Sequence, residues 1–184
     1  LLRERHLRAG ALERALPLCP DSREMCGQGV IAGVYAEDYP RARAWLDRHI
    51  ARTPYGERDP EVHYLRALVD LRLVGRADLA VRGLERMQAL APHLHVAQRD
   101  TLYYDALLQW GTQLRGQGRH EEALRQYQAA VLVARRTNRP SKERRARSNA
   151  GLTLGRARRY EEAAAVFQRL LAEEADPIDV DVPP

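Results

Sequence analysis

Several kinds of residue are scarce in this chain, and each scarcity removes a class of protein. In 184 residues there are two cysteines, two methionines, two tryptophans and one phenylalanine. Two cysteines are too few for a small scaffold stapled by several disulfides. No apolar run approaches the roughly 18 residues of a membrane-spanning helix. Lysine is almost missing, since Lys142 stands alone among 30 basic residues. That skew toward arginine, with plentiful Ala, Leu, Gly and Pro, fits the codon bias of a GC-rich bacterial genome. The net charge of +5 therefore says little about nucleic acid, and it is mild beside that of dedicated nucleic-acid binders. Glycine-rich phosphate loops, nucleophile elbows and paired zinc histidines on a helix are also missing. Neither an enzyme nor a cofactor is expected.

What remains is a composition for helices. Hydrophobic residues make up 45% and charged residues 30%, the range of a folded chain. Ala and Leu dominate the apolar set, and they lose little rotamer freedom in a helix. Helices are expected near 2–17, 22–36, 40–53, 60–74, 77–90, 95–116, 120–137, 141–157 and 161–175. Asp59 before Pro60 and Glu61 reads as an N-cap followed by proline in the first turn. Asp21 with Glu24, and Ser141 after Pro140, read as further N-caps. Gly75 and Gly118 fall where a tight turn between helices needs a left-handed backbone.

A spacing recurs along the chain. Gly118-Arg119-His120-Glu121-Glu122-Ala123, followed by Tyr127 and Ala130, is matched by Arg158-Arg159-Tyr160-Glu161-Glu162-Ala163, followed by Phe167 and Leu170. Gly111 and Gly151 each precede the marker alanine by twelve residues. Earlier copies run through Tyr64, Ala67, Leu68, Leu71, Gly75, Ala80, Leu84 and Met87, and through Tyr39, Ala42, Leu46 and His49. The glutamate pairs recur at the starts of second helices, where the helix dipole favours negative charge.

These copies resemble the tetratricopeptide repeat, a helix–turn–helix unit of about 34 residues. The resemblance covers roughly residues 23–177. It implies an all-α, right-handed superhelical stack of hairpins. The structural markers are Ala42, Ala80, Gly111, Ala123, Tyr127, Gly151, Ala163 and Phe167. The marker alanines lie 38, 43 and 40 residues apart, longer than the standard unit. Such long units resemble those of bacterial signalling regulators and of motor or polarity adaptors. The expected organisation is a leading helix at 1–20, repeats at 23–56, 61–94, 104–137 and 144–177, and an acidic tail at 178–184. The leading helix reads as the second half of a preceding repeat. The start at Leu1 rather than Met suggests an excised fragment of a larger bacterial regulatory or assembly protein. Unfinished ends of such a stack could also pair with a second copy.

The resemblance implies protein or peptide binding on a concave face built from first helices. Its groove positions map to Leu65, Arg66, Val69, Arg72 and Leu73, then to Asp105, Leu108, Gln109, Thr112 and Arg115. A last set comprises Arg145, Ser148, Asn149, Leu152 and Arg156. A mixed apolar and cationic groove complements an acidic, partly apolar peptide, although arginines on a helix face are also ordinary solvated groups. The lysine and asparagine pattern of chaperone-binding carboxylate clamps is missing, with Gly27 and Ile31 in the first copy.

Arg135, Arg136, Arg139, Lys142, Arg144, Arg145 and Arg147 cluster, and the basic stretch 135–159 offers nucleic-acid or anionic-surface binding as the alternative. Glu143 interrupts it and no aromatic residues interleave for base stacking. Cys19 and Cys26 leave three options open: a local disulfide, buried free thiols, or a metal. His93 and His95 lack further ligands at helical spacing, so no metal is expected there. The stretch Glu173 to Val182, acidic and then alternating acidic with apolar, reads first as a linker, or else as a segment able to lie on the basic cluster or in the groove of a neighbouring copy. A cytoplasmic location is favoured.

Overall fold

The computed structural model describes residues 22–175, and among these residues there is helix and turn but no strand. Eight α-helices follow one another: α1 (Arg23–Tyr35), α2 (Tyr39–Arg52), α3 (Pro60–Val69), α4 (Ala77–Leu90), α5 (Val96–Gly116), α6 (His120–Arg136), α7 (Pro140–Arg156) and α8 (Tyr160–Ala175). A 3₁₀ turn, Gly56–Arg58, precedes α3, and α3 widens into a π turn over Asp70–Val74. These bounds follow the sequence expectation to within a residue or two. The expected leading helix and the acidic tail lie outside the described residues.

Chain contacts divide the molecule into two compact units, with the boundary between Ala106 and Leu107. In the first unit α1 packs on α2 and α3 packs on α4. In the second, α7 packs on both α6 and α8, and Gly111 of α5 faces Tyr127 of α6.

Four of the turns share one construction. Residues 36–38, 117–119, 137–139 and 157–159 form three-residue connections. The middle residue of each takes a positive φ: Glu37 (57°), Gly118 (75°), Asn138 (50°) and Arg158 (61°). In each, the following N–H reaches back five residues to a helical carbonyl: Asp38 to Gly33, Arg119 to Leu114, Arg139 to Ala134 and Arg159 to Leu154. This is the closing bond of a Schellman-type helix end, which satisfies a carbonyl the helix itself leaves unpaired. The turn after α3 is a variant of it. There Gly75 carries φ 75° and the Arg76 N–H reaches back six residues to Asp70 at 2.8 Å, because the π turn has added a residue. Gly75 and Gly118 thus occupy left-handed positions as their sequence context requires, whereas Glu37 and Arg158 do the same work without glycine.

Capping corrects part of the sequence reading. Asp59 caps α3, accepting from the Glu61 N–H at 2.9 Å, and Asp38 caps α2 through the Arg41 N–H at 3.0 Å. The cap of α1 is Ser22, whose hydroxyl accepts from the Met25 N–H at 3.3 Å; Asp21 lies outside the described residues. Ser141 is not a cap. Helix α7 already begins at Pro140, so Ser141 falls inside its first turn, and Arg139 stands at the cap position without a side-chain bond.

Small residues set the helix spacing. Ala42, Ala80 and Ala123 are fully buried, and Ala163 nearly so. A Cβ on Gly29 would stand 2.5 Å from Trp45 Cδ2, and one on Gly33 would stand 2.8 Å from the Ala42 backbone. Leu46, Leu84, Met87 and Tyr127 fill the interior beside them, each burial contributing about 1.5–3 kcal/mol. Cys26 is a buried free thiol; Cys19 lies outside the described residues.

A polar knot fastens the first hairpin to the second. The Arg23 guanidinium reaches Asp59 at 2.7 Å and Glu61 at 2.8 Å. Thr53 donates to Asp59 at 2.6 Å, and His49, fully buried, places Nδ1 3.0 Å from the Arg23 carbonyl. Burial alone would raise the Asp59 carboxyl, but the Thr53 hydroxyl, the Glu61 amide, Arg23 and His49 together hold it below the usual carboxylate value. Its pKa is therefore depressed on folding. The resulting stability is fully present above about pH 4 and is lost as pH falls through the lower folded-state value. Asp59→Asn is expected to lower stability by about 2 kcal/mol near neutral pH and to flatten the acid limb. Urea midpoints measured from about pH 3 to about pH 7 check this; an acid limb as steep as that of the parent refutes it.

Candidate functional site

In the first unit α1, α3 and the start of α5 border an open trough of about 770 Å³. That size is within the roughly 300–1,000 Å³ range of ligand-binding clefts. Its apolar walls are Val34, Tyr35, Tyr64, Leu68 and Leu102, and Glu37, Arg72, Gln98 and Thr101 bring polar groups to the rim. Tyr35 is 54% exposed, a large apolar surface left to solvent beside other apolar groups. Burial, reinforced by Tyr35 and only partly offset by Arg72, raises the Tyr64 phenol above its ordinary value. At neutral pH Tyr64 is thus an uncharged hydroxyl. His95, itself at a positive φ of 47°, stands against the Tyr64 ring with centroids 5.7 Å apart.

The second unit carries two further depressions. One, of about 450 Å³, lies between α7 and α8 and is lined by Ser141, Arg144, Arg145, Ser148, Phe167, Leu170 and Leu171. The other, of about 490 Å³, includes Val131, the exposed Leu132, Val166 and Arg169.

The groove residues inferred from the sequence separate into different roles. Leu65, Val69 and Leu108 are buried, at 1%, 3% and 6% exposure, so their side chains hold the core and cannot line an open groove. Leu73 packs against the core of the first hairpins, and Arg66 and Gln109 are half-buried. Arg72 does border the trough, but it is matched by Asp105 at 2.6 Å, so two of the inferred residues neutralise each other. In the second unit Arg115 donates to Asn149 at 3.2 Å. Thr112 donates to the Leu108 carbonyl at 2.9 Å and stands 3.2 Å from the Tyr127 hydroxyl. Arg145 and Ser148 meet in the trough between α7 and α8, while Leu152 and Arg156 are exposed on α7. Tyr35, Gln98 and Thr101 escaped the sequence reading. The exposed aromatic at the end of α1 was their one available signal.

The basic stretch is partly neutralised from within. Glu143 accepts from Arg135 at 2.9 Å and lies 3.8 Å from Arg147, which also pairs with Glu173 at 2.6 Å. The recurrent glutamates are structural. Arg119 pairs with Glu122, and Arg159 takes Glu162 at 2.6 Å and Glu121 at 2.7 Å. Among the described residues no helix is long and apolar enough to cross a membrane.

Paired antiparallel helices with small-residue crossings and Schellman-closed turns define a helical-hairpin repeat protein, whose surface offers troughs for a partner. The comparison with known families makes this specific. Residues 103–172 match the family model described as tetratricopeptide repeat, in agreement with the resemblance carried by the spacing. Two solved structures share the fold. The crystal structure of MamA is 19% identical with a TM-score of 0.60, covering 91% of this chain and 86% of that one. A second crystal structure, of MamA protein, is 18% identical with a TM-score of 0.61, covering 96% and 86%. No curated protein matches the sequence.

Proposed function

We propose that the chain is a binding scaffold whose first unit holds a segment of a partner protein in the trough between α1, α3 and α5. The observation that supports this most is the open wall of Tyr35, Tyr64 and Leu68 beside the polar rim of Gln98 and Thr101. Exposed aromatic side chains at a concave surface are the usual anchors of protein interfaces, because they bury much area with few rotatable bonds. The internal Arg72–Asp105 pair cancels the arginine's charge, and Glu37 brings an exposed carboxylate to the same rim. The partner segment is therefore one that offers apolar or aromatic anchors and hydrogen-bonding groups. A strongly acidic segment is not needed here.

Thr101 is exposed and borders the trough, so Thr101→Arg fills the space while leaving the core alone. In nuclease-treated lysate of the source cells, the parent chain is expected to retain a protein. The Thr101→Arg chain, with an unchanged melting curve, should retain it at least about tenfold less, the loss of roughly one hot-spot contact. Equal retention by both chains refutes the groove reading. Capture abolished by nuclease points instead to nucleic acid on the basic stretch.

A further inference from the structure

The trough of the first unit has an electrostatic preference as well as an apolar wall. Two charged residues line it, Glu37 and Arg72. Arg72 is answered within the chain by Asp105 at 2.6 Å. Glu37 stands in the turn after α1, at a φ of 57°, and its side chain is left to solvent. Glu37, Arg72 and Asp105 together carry a net charge of about −1 at neutral pH. An occupant gains from bringing positive charge.

The aromatic lining points the same way. Tyr35 closes α1 two residues before Glu37, and Tyr64 lines the same trough from α3. The face of an aromatic ring carries negative potential and attracts a cation. A carboxylate placed there would meet that potential and Glu37 as well. Among cationic side chains arginine matches the lining best. Its planar guanidinium stacks on an aromatic ring and offers a carboxylate two parallel N–H donors, whereas a lysine ammonium is a strongly hydrated point charge. Its methylene stem can lie on apolar surface, here supplied by Val34, Leu68 and Leu102.

We infer that the partner segment is anchored in this trough by an arginine, its guanidinium on the Tyr35–Tyr64 side against Glu37 and its stem on Val34, Leu68 and Leu102. This rests on the scaffold reading above and adds the chemistry of the partner to it. The preferred charge is opposite to the one that the arginines of the first helices imply, because Arg72 is spent on Asp105 while Glu37 is exposed.

A random-peptide phage library, depleted on a Thr101→Trp chain and then panned on the parent chain, tests it. Tryptophan fills the trough without adding charge, so the depletion does not itself select for basic peptides. The recovered peptides should share an arginine flanked by apolar residues. In fluorescence anisotropy with a synthetic copy, replacing that arginine by citrulline, which keeps the shape and removes the charge, should weaken binding about tenfold. Glu37→Gln should weaken the arginine peptide about threefold and leave the citrulline peptide unchanged, the signature of a direct contact. Trough-dependent peptides without an arginine overturn the inference and leave the trough as a binding site. So does an arginine peptide that binds equally as citrulline, or equally to the Glu37→Gln chain. If no recovered peptide depends on the trough, the scaffold reading of the first unit fails, and the inference with it.

Discussion

Gly33→Ala is expected to destabilise the first unit by about 3 kcal/mol, at the upper end of what overpacking produces. The added Cβ would meet Ala42 Cα and N at 2.8 Å and Ala42 Cβ at 2.9 Å. Two of those three atoms are main chain, so no rotamer change relieves the clash and α1 must move away from α2. Gly33 also supplies the carbonyl that closes the turn onto the Asp38 N–H, so that movement strains the turn as well. Gly83→Ala provides the contrast within the same unit. Its Cβ would meet only the His63 carbonyl at 3.4 Å and Ala67 at 3.5 Å, and stability should be unchanged or rise by about 0.5–1 kcal/mol, as for glycine to alanine within a helix. Each unit carries one tryptophan, Trp45 and Trp110, so denaturation of a Trp110→Phe background reports the first unit alone. A loss below about 1 kcal/mol for Gly33→Ala in that background shows that the helices do not approach so closely.

Tyr127→Ala should cost the second unit about 3–5 kcal/mol, the range for emptying a buried aromatic site. Tyr127 is fully buried, and its ring fills the space that the missing Gly111 side chain leaves: a Cβ there would stand 2.7 Å from Cε1. Tyr127→Phe keeps the ring and removes only the hydroxyl facing Thr112 at 3.2 Å. Thr112 retains its bond to the Leu108 carbonyl, so that variant should lose no more than about 1 kcal/mol. Urea denaturation followed at Trp110 in a Trp45→Phe background separates the two. A phenylalanine variant as weak as the alanine one means that the hydroxyl bond, and not the packing, holds this crossing.

The helices and their hairpin pairing were legible in the sequence because they depend on local signals: apolar periodicity, Asp59 before Pro60, and the recurring Gly and Ala markers. Side-chain orientation was less so. Leu65, Val69 and Leu108 lie on first helices, where the family places its groove, but they are buried, and a position within a repeat does not say how far a helix is rotated. Ion pairing between distant residues was also hidden. Arg72 finds Asp105, 33 residues away, and Arg159 finds Glu121, 38 residues away, through the packing of helices that no local pattern specifies. Gly33 was the instructive case. At the positions where Leu114 and Leu154 close their turns, the first hairpin has a glycine, and only the neighbouring Ala42 backbone explains why.

Each three-residue turn is closed by a bond spanning five residues, and each hairpin's packing partners lie on the two helices flanking that turn. The chain therefore seldom has to bring together distant stretches before gaining a contact, which keeps the loop-closure penalty small. Low contact order of this kind speeds folding. It also suits a chain emerging from a ribosome, since a hairpin can close as soon as its second helix is made, before the next is synthesised.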